Sequence, residues 1–319
     1  MKVKLEVLRS AMVIGSSPLM QEMMAMVEKM APSRMPVLIT GPTGSGKEVV
    51  ASVVHLMGGD DHLPFVDLNC AAIPENLMES LLFGHEKGVF TGAITRHQGY
   101  FSMTGKGTLF LDEIGEMPLT QQAKLLRVIE AREYRPLGSV QSYPFEGRIV
   151  AATHANLETL VAKGRFREDL YYRLNVLQVA VPSLDERRVD IPEFVAYFMS
   201  RVERPVSLSL EAVKLLCQIN WPGNVRQLKS TIEKIALLSD KTIVSAKEVR
   251  RFLHQGPPPV SRVFETIADQ VIGLPCDNKV DRMESALVKQ ALKRAGGNKS
   301  EAARSLGVHR KYVERRVKA

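Results

Sequence analysis

Gly41-Pro42-Thr43-Gly44-Ser45-Gly46-Lys47-Glu48 follows the short apolar run Val37-Leu38-Ile39 and leads into Val49-Val50-Ala51-Ser52-Val53-Val54. The glycines fall where a buried strand hands over to a helix, the context of a phosphate-binding loop. Glycine lets backbone N–H groups turn inward around a polyphosphate, the helix N-terminus adds partial positive charge, and Lys47 reaches the outer phosphates. Ile14 and Gly15 stand at a suitable distance ahead of the loop to touch a nucleotide base. Glu48 occupies the position where most such loops carry a Ser or Thr hydroxyl for Mg2+, so either the metal is held differently or the chain is a specialised branch.

Outward from this loop, other short apolar runs end in polar residues. Pro64 to Asn69 has the alternation of a strand, Gly107-Thr108-Leu109-Phe110-Leu111 runs into Asp112-Glu113, and Arg148 to Thr153 repeats the pattern. Continuous apolar strands suit a parallel α/β sheet covered on both faces, with the strand ends facing one ligand crevice. In that crevice Asp112 would position Mg2+ with its water shell, Glu113 would orient or deprotonate an attacking water, and Thr153 would sense the terminal phosphate. Ser17 and Pro18 begin a helix whose Met20, Met23, Met24, Val27 and Met30 form a core stripe. Thr120 to Glu130 reads as a helix with Ala123, Leu126 and Ile129 inward. Arg167 and Arg173 are either surface ion-pair partners or arginine fingers for a neighbouring subunit's nucleotide.

The 319 residues, 45% hydrophobic and 24% charged, fit a soluble globular protein of two or three units. Cys70, Cys217 and Cys276 are too scattered for a metal or disulfide framework, so free thiols in the cytoplasm are expected. The N-terminus has no apolar signal segment and no run is long enough to span a bilayer, which argues against secretion and membrane insertion. Residues 1–183 are expected to form the α/β nucleotide-binding core and 184–254 a helical lid. A Pro-rich linker would fill 255–280, and a small all-α domain 281–319. Within the lid, Trp221-Pro222-Gly223-Asn224 turns into a helix whose first turn carries Arg226, a cation unfavourable to the dipole unless an anion such as phosphate is near.

Charge is concentrated at the end. Asp281 to Ala319 holds 11 Lys/Arg against four Asp/Glu, or +7 of the total +8. A basic unit on a near-neutral body points to nucleic acid. Its first helix, Glu284 to Ala295, ends at Gly296-Gly297. Asn298 caps the next with Glu301 as capping-box partner, Gly307 ends that one, and a third runs from about His309 to Lys318. This is a helix-turn-helix pattern with Val308, Val313 and Val317 inward and Arg310, Lys311, Arg315 and Arg316 toward DNA.

The remaining stretch is Leu81-Leu82-Phe83-Gly84-His85-Glu86-Lys87-Gly88-Val89-Phe90-Thr91-Gly92-Ala93, where spaced glycines discourage a regular element and Phe90 is placed in a loop. A loop that exposes aromatic surface usually does so for a partner. Here the residues together resemble the bacterial enhancer-binding transcription activators of sigma-54 RNA polymerase, members of the AAA+ ATPases. The similarity runs from about Val13 to the C-terminus. Gly88-Val89-Phe90-Thr91-Gly92-Ala93 looks like that family's sigma-contacting loop, written G-A-F-T-G-A.

Gly41 to Glu48 matches the family's phosphate loop, including the final Glu. The resemblance implies ATP and Mg2+ as cofactors, Asp112 and Glu113 as the second nucleotide motif, and Asn69 as the residue that restrains the catalytic Glu. It also implies Thr153 as first sensor, Arg167 and Arg173 as arginine fingers acting in trans, and Arg226 as second sensor. The tail resembles a Fis-type helix-turn-helix through Gly297 to Ala303 and Arg315-Arg316. Four features differ from the usual pattern. Val89 replaces Ala, His154 replaces an Asn beside the sensor Thr, and His309, Tyr312 and Glu314 replace Ser, Thr and Tyr. Nor is there room before Val13 for the usual regulatory domain, so a separate regulatory protein or expression level would supply control.

The implied protein is an ATP-hydrolysing activator. It would self-associate into a ring, hexameric by resemblance, bind upstream enhancer DNA, and drive the Phe90-Thr91 loop against sigma-54 within RNA polymerase. Two other readings share much of this pattern. One is an AAA+ machine for replication or helicase loading, against which the loop 88–93 discriminates. The other is a DNA-binding regulator with a vestigial nucleotide site acting as structural partner to a related subunit in a mixed ring, against which Lys47, Asp112, Glu113, Arg167 and Arg173 stand.

Overall fold

The computed structural model describes residues 14–59, 62–90, 92–202, 204, 206–253, 268–269, 271–273 and 275–318. Val13, the loop's Thr91, most of the Pro-rich linker and the side chain of Val317 lie outside the described residues. The chain divides into two units, Met1–Leu253 and His254–Ala319, so core and lid form one body.

In chain order the first unit contains α1 (Pro18–Met30), β1 (Val37–Thr40), α2 (Lys47–Met57), β2 (Phe65–Asn69), α3 (Glu75–Phe83), β3 (Gly84–His85), β4 (His97–Gln98), α4 (Tyr100–Thr104) and β5 (Thr108–Asp112). It continues with α5 (Leu119–Ala131), β6 (Glu133–Tyr134), β7 (Tyr143–Pro144), β8 (Arg148–Thr153), α6 (Leu157–Ala162), α7 (Glu168–Leu174) and β9 (Leu177–Ala180). The lid follows as α8 (Ile191–Met199), β10 (Ser207–Leu208), α9 (Leu210–Gln218), α10 (Asn224–Leu238), β11 (Ile243–Val244) and α11 (Ala246–Leu253). The small parallel pair β10–β11 was not anticipated from sequence.

The main sheet is parallel, in the order β2-β5-β8-β1-β9. Its three inner strands, β5, β8 and β1, are buried on both faces because alternate side chains serve different cores. Val37 and Ile39, Phe110, Val150 and Ala152 join the stripe of α1 and the Val50, Val53 and Val54 face of α2. Leu38, Leu109, Leu111, Ile149 and Ala151 point the other way, against α3, α5, α6 and α7. The lid builds its own core around Trp221, whose indole N–H donates to the Leu216 carbonyl (2.9 Å).

The face of α5 differs from expectation by one residue. Leu125 and Val128 are buried together with Gln121 and Gln122, while Ala123, Leu126 and Ile129 are half-buried. Gln122 is accommodated because its amide donates to the Met117 (2.7 Å) and Arg165 (3.1 Å) carbonyls. A buried polar group costs little once it is hydrogen-bonded.

Arg148, 1% exposed at the start of β8, donates to the carbonyls of Ala31 (2.7 Å), Met30 (3.1 Å) and Met35 (3.2 Å). It therefore satisfies carbonyls at and just past the C-terminus of α1, where cations are favoured.

The second unit contains α12 (Lys279–Arg294), α13 (Lys299–Leu306) and α14 (Arg310–Lys318) around Val288, Ala303 and Val313. The first helix thus starts at Lys279, ahead of the expected Glu284 and of the expected domain boundary at 281. Asn298 caps α13 by accepting from the Ser300 (3.1 Å) and Glu301 (3.3 Å) N–H groups. The reciprocal half of the expected capping box is not made, because the Asn298 N–H donates to the Ala295 carbonyl (2.9 Å).

Arg148→Met keeps the bulk but leaves buried carbonyls without their charged donor, at a cost of about 3 kcal/mol. For a unit of this size, a thermal melt should fall by roughly 6–12 °C; an unchanged melt refutes the assignment.

Candidate functional site

The parallel register sets the ends of neighbouring strands side by side. Thr40 pairs with Thr153, and Asn69 with Asp112. A cleft of about 360 Å³ opens there, lined from the core by Thr43, Gly44, Gly46, Lys47, Glu48, Asp112 and Glu113, and from the lid by Tyr197, Phe198, Val225, Arg226 and Lys229. Lys229 was missed in the sequence although it stands three residues after Arg226, on the same helical face. Tyr197 and Phe198 carried no signal beyond an apolar helix.

The loop from Gly41 to Gly46 is shaped for an anion. Gly44 (φ +76°) has no room for a side chain, since a Cβ there would lie 2.5 Å from the Gly223 carbonyl oxygen. Gly46 (φ +105°) has open space where its Cβ would stand. Ser45 Oγ is buried without a hydrogen-bond partner, Pro42 is exposed at the turn, and the Ser45 N–H donates to the Pro42 carbonyl (3.2 Å). Lys47, only 7% exposed, sits with its Nζ 3.1 Å from the Gly41 carbonyl oxygen and 3.7 Å from Glu113 Oε1. This cradle fits a polyphosphate.

The two carboxylates divide as their surroundings dictate. Burial, then the neighbouring Glu113 charge, pushes the Asp112 pKa up. Burial acts on Glu113 in the same direction, but hydrogen bonds from the ring and backbone of His154, aided by Lys47, outweigh it and hold Glu113 below its ordinary value. Glu113 Oε2 accepts from His154 Nδ1 (2.6 Å) and from the His154 N–H (3.2 Å). A carboxylate only accepts, so Nδ1 carries the hydrogen. Asn69, expected to restrain Glu113, instead reaches Asp112 Oδ2 (3.5 Å) with its amide and accepts the Ala71 N–H (2.9 Å). The register explains the exchange of partners: Asn69 is level with Asp112, whereas Glu113 and His154 each stand one residue beyond adjacent strands β5 and β8. Cys70 lies behind these carboxylates, its thiol pushed up to about 12 by burial and then by Asp112 and Glu113, which leaves it an unreactive packing group.

Other expected residues stand outside the lining of this cleft. Thr153 is 1% exposed, and its hydroxyl accepts the Ala155 N–H (3.0 Å). Ile14 is packed in the core, while a Cβ on Gly15 would stand 2.4 Å from Asp190 Oδ2; neither lines the cleft. Arg167 precedes α7 and grips Asp169 through Nε (3.0 Å) and Nη2 (2.7 Å), and Arg173 meets Glu130 (3.0 Å). Both guanidinium groups are exposed and outside this cleft.

The segment from Gly84 to Gln98 is a hairpin, with His85 paired to His97. Its tip is closed by the Gly88 N–H to the Ala93 carbonyl (2.8 Å) and the Ala93 N–H to the Phe90 carbonyl (3.0 Å), with Gly92 at φ +105°. Phe90 is 42% exposed and sets its ring edge-on to His85 at 4.9 Å. Val89 fits because Gly138 opposite has no Cβ, which would lie 2.2 Å from Val89 Cγ2.

In the second unit, Arg310, Lys311 and Arg315 lie exposed on α14, with Arg310 also paired to Glu314 (2.8 Å). Arg316 turns instead to Asp281 and Glu284 of α12, and Tyr312 donates to Glu284 (2.7 Å). Those two side chains fasten the last helix to the first.

Comparison with known proteins agrees with this geometry. Residues 13–180 match the sigma-54 interaction domain, 185–263 the AAA+ ATPase lid domain and 279–319 the bacterial regulatory protein, Fis family. The chain is 40% identical over 316 residues to the Nif-specific regulatory protein of Azotobacter vinelandii, covering 96% of this chain and 58% of that protein. It is 41% identical over 305 residues to the transcriptional regulatory protein ZraR of Escherichia coli K12, covering 94% of this chain and 67% of ZraR. The crystal structure of NtrX from Brucella abortus in complex with ATP superposes with a TM-score of 0.69 at 32% identity, covering 99% of this chain and 72% of that one. With the first domain match alone taking in more than half of its residues, the chain belongs to the sigma-54 interaction domain family, built on an AAA+ core and lid with a Fis-type helix-turn-helix.

Proposed function

We propose that this protein is a cytoplasmic sigma-54-dependent transcriptional activator that hydrolyses ATP in a ring and binds upstream DNA through its second unit. The observation that carries the reading is one cleft joining the phosphate loop, Lys47, Asp112, Glu113 and Arg226, on a chain that also bears the hairpin with Phe90 at its tip. Asp112 would hold Mg2+, for which one carboxylate suffices when phosphate and water complete the shell, and the ion would neutralise charge developing on the phosphates. Lys47 and the loop amides bind and orient the triphosphate. Glu113 takes a proton from, or aligns, the attacking water. Arg226 contacts phosphate from the lid side. Arg167 and Arg173, exposed and outside the lining of their own cleft, are suited to complete a neighbour's site, and a related subunit could occupy that neighbouring position.

The hairpin supplies the output. Phe90 and Thr91 press on sigma-54 in the polymerase complex, while Arg310, Lys311 and Arg315 face DNA. The mixed-ring alternative, with a vestigial nucleotide site, is disfavoured by the assembled cleft.

ATP turnover per subunit should rise with protein concentration, since the fingers act in trans; concentration-independent turnover contradicts the ring. Lys47→Ala should lose nucleotide binding. Glu113→Ala should still bind ATP yet lose about 100-fold or more in turnover. Phe90→Ala should hydrolyse ATP but form no open complexes in reconstituted sigma-54 transcription; normal activation by that variant rules out the hairpin's role. Because Glu113 must leave His154 before its Oε2 can meet water, His154→Leu should raise turnover severalfold in dilute protein. Equal or lower turnover would show that His154 does not restrain the carboxylate.

A further inference from the structure

Three successive carbonyls of the phosphate loop are held by the lid. Asn224 Nδ2 donates to the Thr43 carbonyl (3.0 Å), the Arg226 N–H to that of Gly44 (3.3 Å), and Arg187 Nη2 to that of Ser45 (2.6 Å). Arg187 and Asn224 are each 2% exposed, and sequence reading assigned a role to neither. Arg187 also donates to the Ile14 carbonyl (3.3 Å), and its guanidinium lies over the Phe194 ring at 5.4 Å. Asn224, at φ +52°, is further fixed by accepting the Leu184 N–H (2.8 Å).

The consequence follows from peptide geometry. In a trans peptide, C=O and N–H point in opposite directions. A lid that draws the Thr43 and Ser45 carbonyls outward sends the Gly44 and Gly46 N–H groups the other way, and both glycines line the cleft. Inward amides are what an anion-binding loop needs.

We infer that Arg187 and Asn224 are positioning residues for the phosphates: by holding the carbonyls of Ser45 and Thr43 they aim the Gly46 and Gly44 amides into the cleft, which ties polyphosphate affinity to the seating of the lid. This rests on the nucleotide-binding reading above. A residue that merely fastened lid to core would affect every ligand of the cleft alike. A residue that shapes the loop affects ligands according to the phosphates placed in it.

The test is calorimetric titration of the full chain with ATP, ADP and AMP. Arg187→Met removes the donor with little change in bulk. Asn224→Asp keeps an oxygen for the Leu184 N–H and tolerates positive φ, but has no donor for Thr43. Each lost bond should weaken ATP and ADP about tenfold, the equivalent of 1.4 kcal/mol, while AMP changes less than twofold. Arg187→Lys, which retains charge and a donor, should recover part of the loss. If Arg187→Met does not fold, as read by its melt, Asn224→Asp carries the test alone. Equal weakening of all three nucleotides, or none, overturns the inference while leaving nucleotide binding intact. A wild-type chain that binds no ATP overturns both.

Discussion

Everything functional in the first unit depends on the parallel register of its five-stranded sheet. Parallel strands end on the same edge, so residues far apart in sequence arrive together without any being placed on its own. Thr40 beside Thr153 brings the phosphate loop next to the strand that His154 follows, and Asn69 beside Asp112 fixes which carboxylate each polar neighbour can touch. Crossover helices between parallel strands must cover both faces, and the alternating cores on either side of β1, β5 and β8 leave the sheet no freedom to slip. A one-residue slip would reverse Leu38 with Ile39 and turn each against the wrong helices.

On that edge the protein buries charge that it has to satisfy. Arg187 does so with main-chain carbonyls, a thioether and an aromatic ring, and burial pulls its pKa down despite Asp190 nearby. Asp190, fully buried, accepts from the Ser16 N–H (2.9 Å), the Ser17 N–H (2.6 Å) and the Ser17 hydroxyl (2.8 Å). The turn from Asp185 to Asp190 thereby grips the chain ahead of α1 with one residue and the phosphate loop with another. Unpaired, either group would be costly to bury. Together they make a lid that can hardly separate from the core without breaking buried hydrogen bonds to both the phosphate loop and the segment ahead of α1.

Much of this could be read from residues alone, and the boundary is physical. Short apolar runs with polar ends reveal parallel strands, and glycines with a lysine before a helix reveal a phosphate loop, because both signals are local. Glycine and asparagine at helix ends likewise marked the helices of the second unit. What escaped were side-chain partners across long separations. The stretch containing Arg187 was read only as part of the helical lid, since its Ser45 partner lies 142 residues away. The face of α5 was misread because glutamines count as polar until their carbonyl partners are known. Asn69 was matched to Glu113 by resemblance, but adjacency of β5 and β8 hands Glu113 to His154.

The hairpin shows how apolar side chains can be exposed without being free. Val89 rests in the gap left by Gly138, and Phe90 leans its edge on His85, which is itself held by Ser80 (2.7 Å). Among the described residues nothing larger covers them, and the two side chains remain 39% and 42% exposed. An aromatic edge contact contributes about 0.5–1.5 kcal/mol beyond area burial. That is enough to give the loop a resting place and too little to keep it there against a partner that buries the same ring more completely. The Val-for-Ala exchange acts on this balance, because each added methyl that packs on Gly138 strengthens the resting position while also enlarging the apolar surface offered on release.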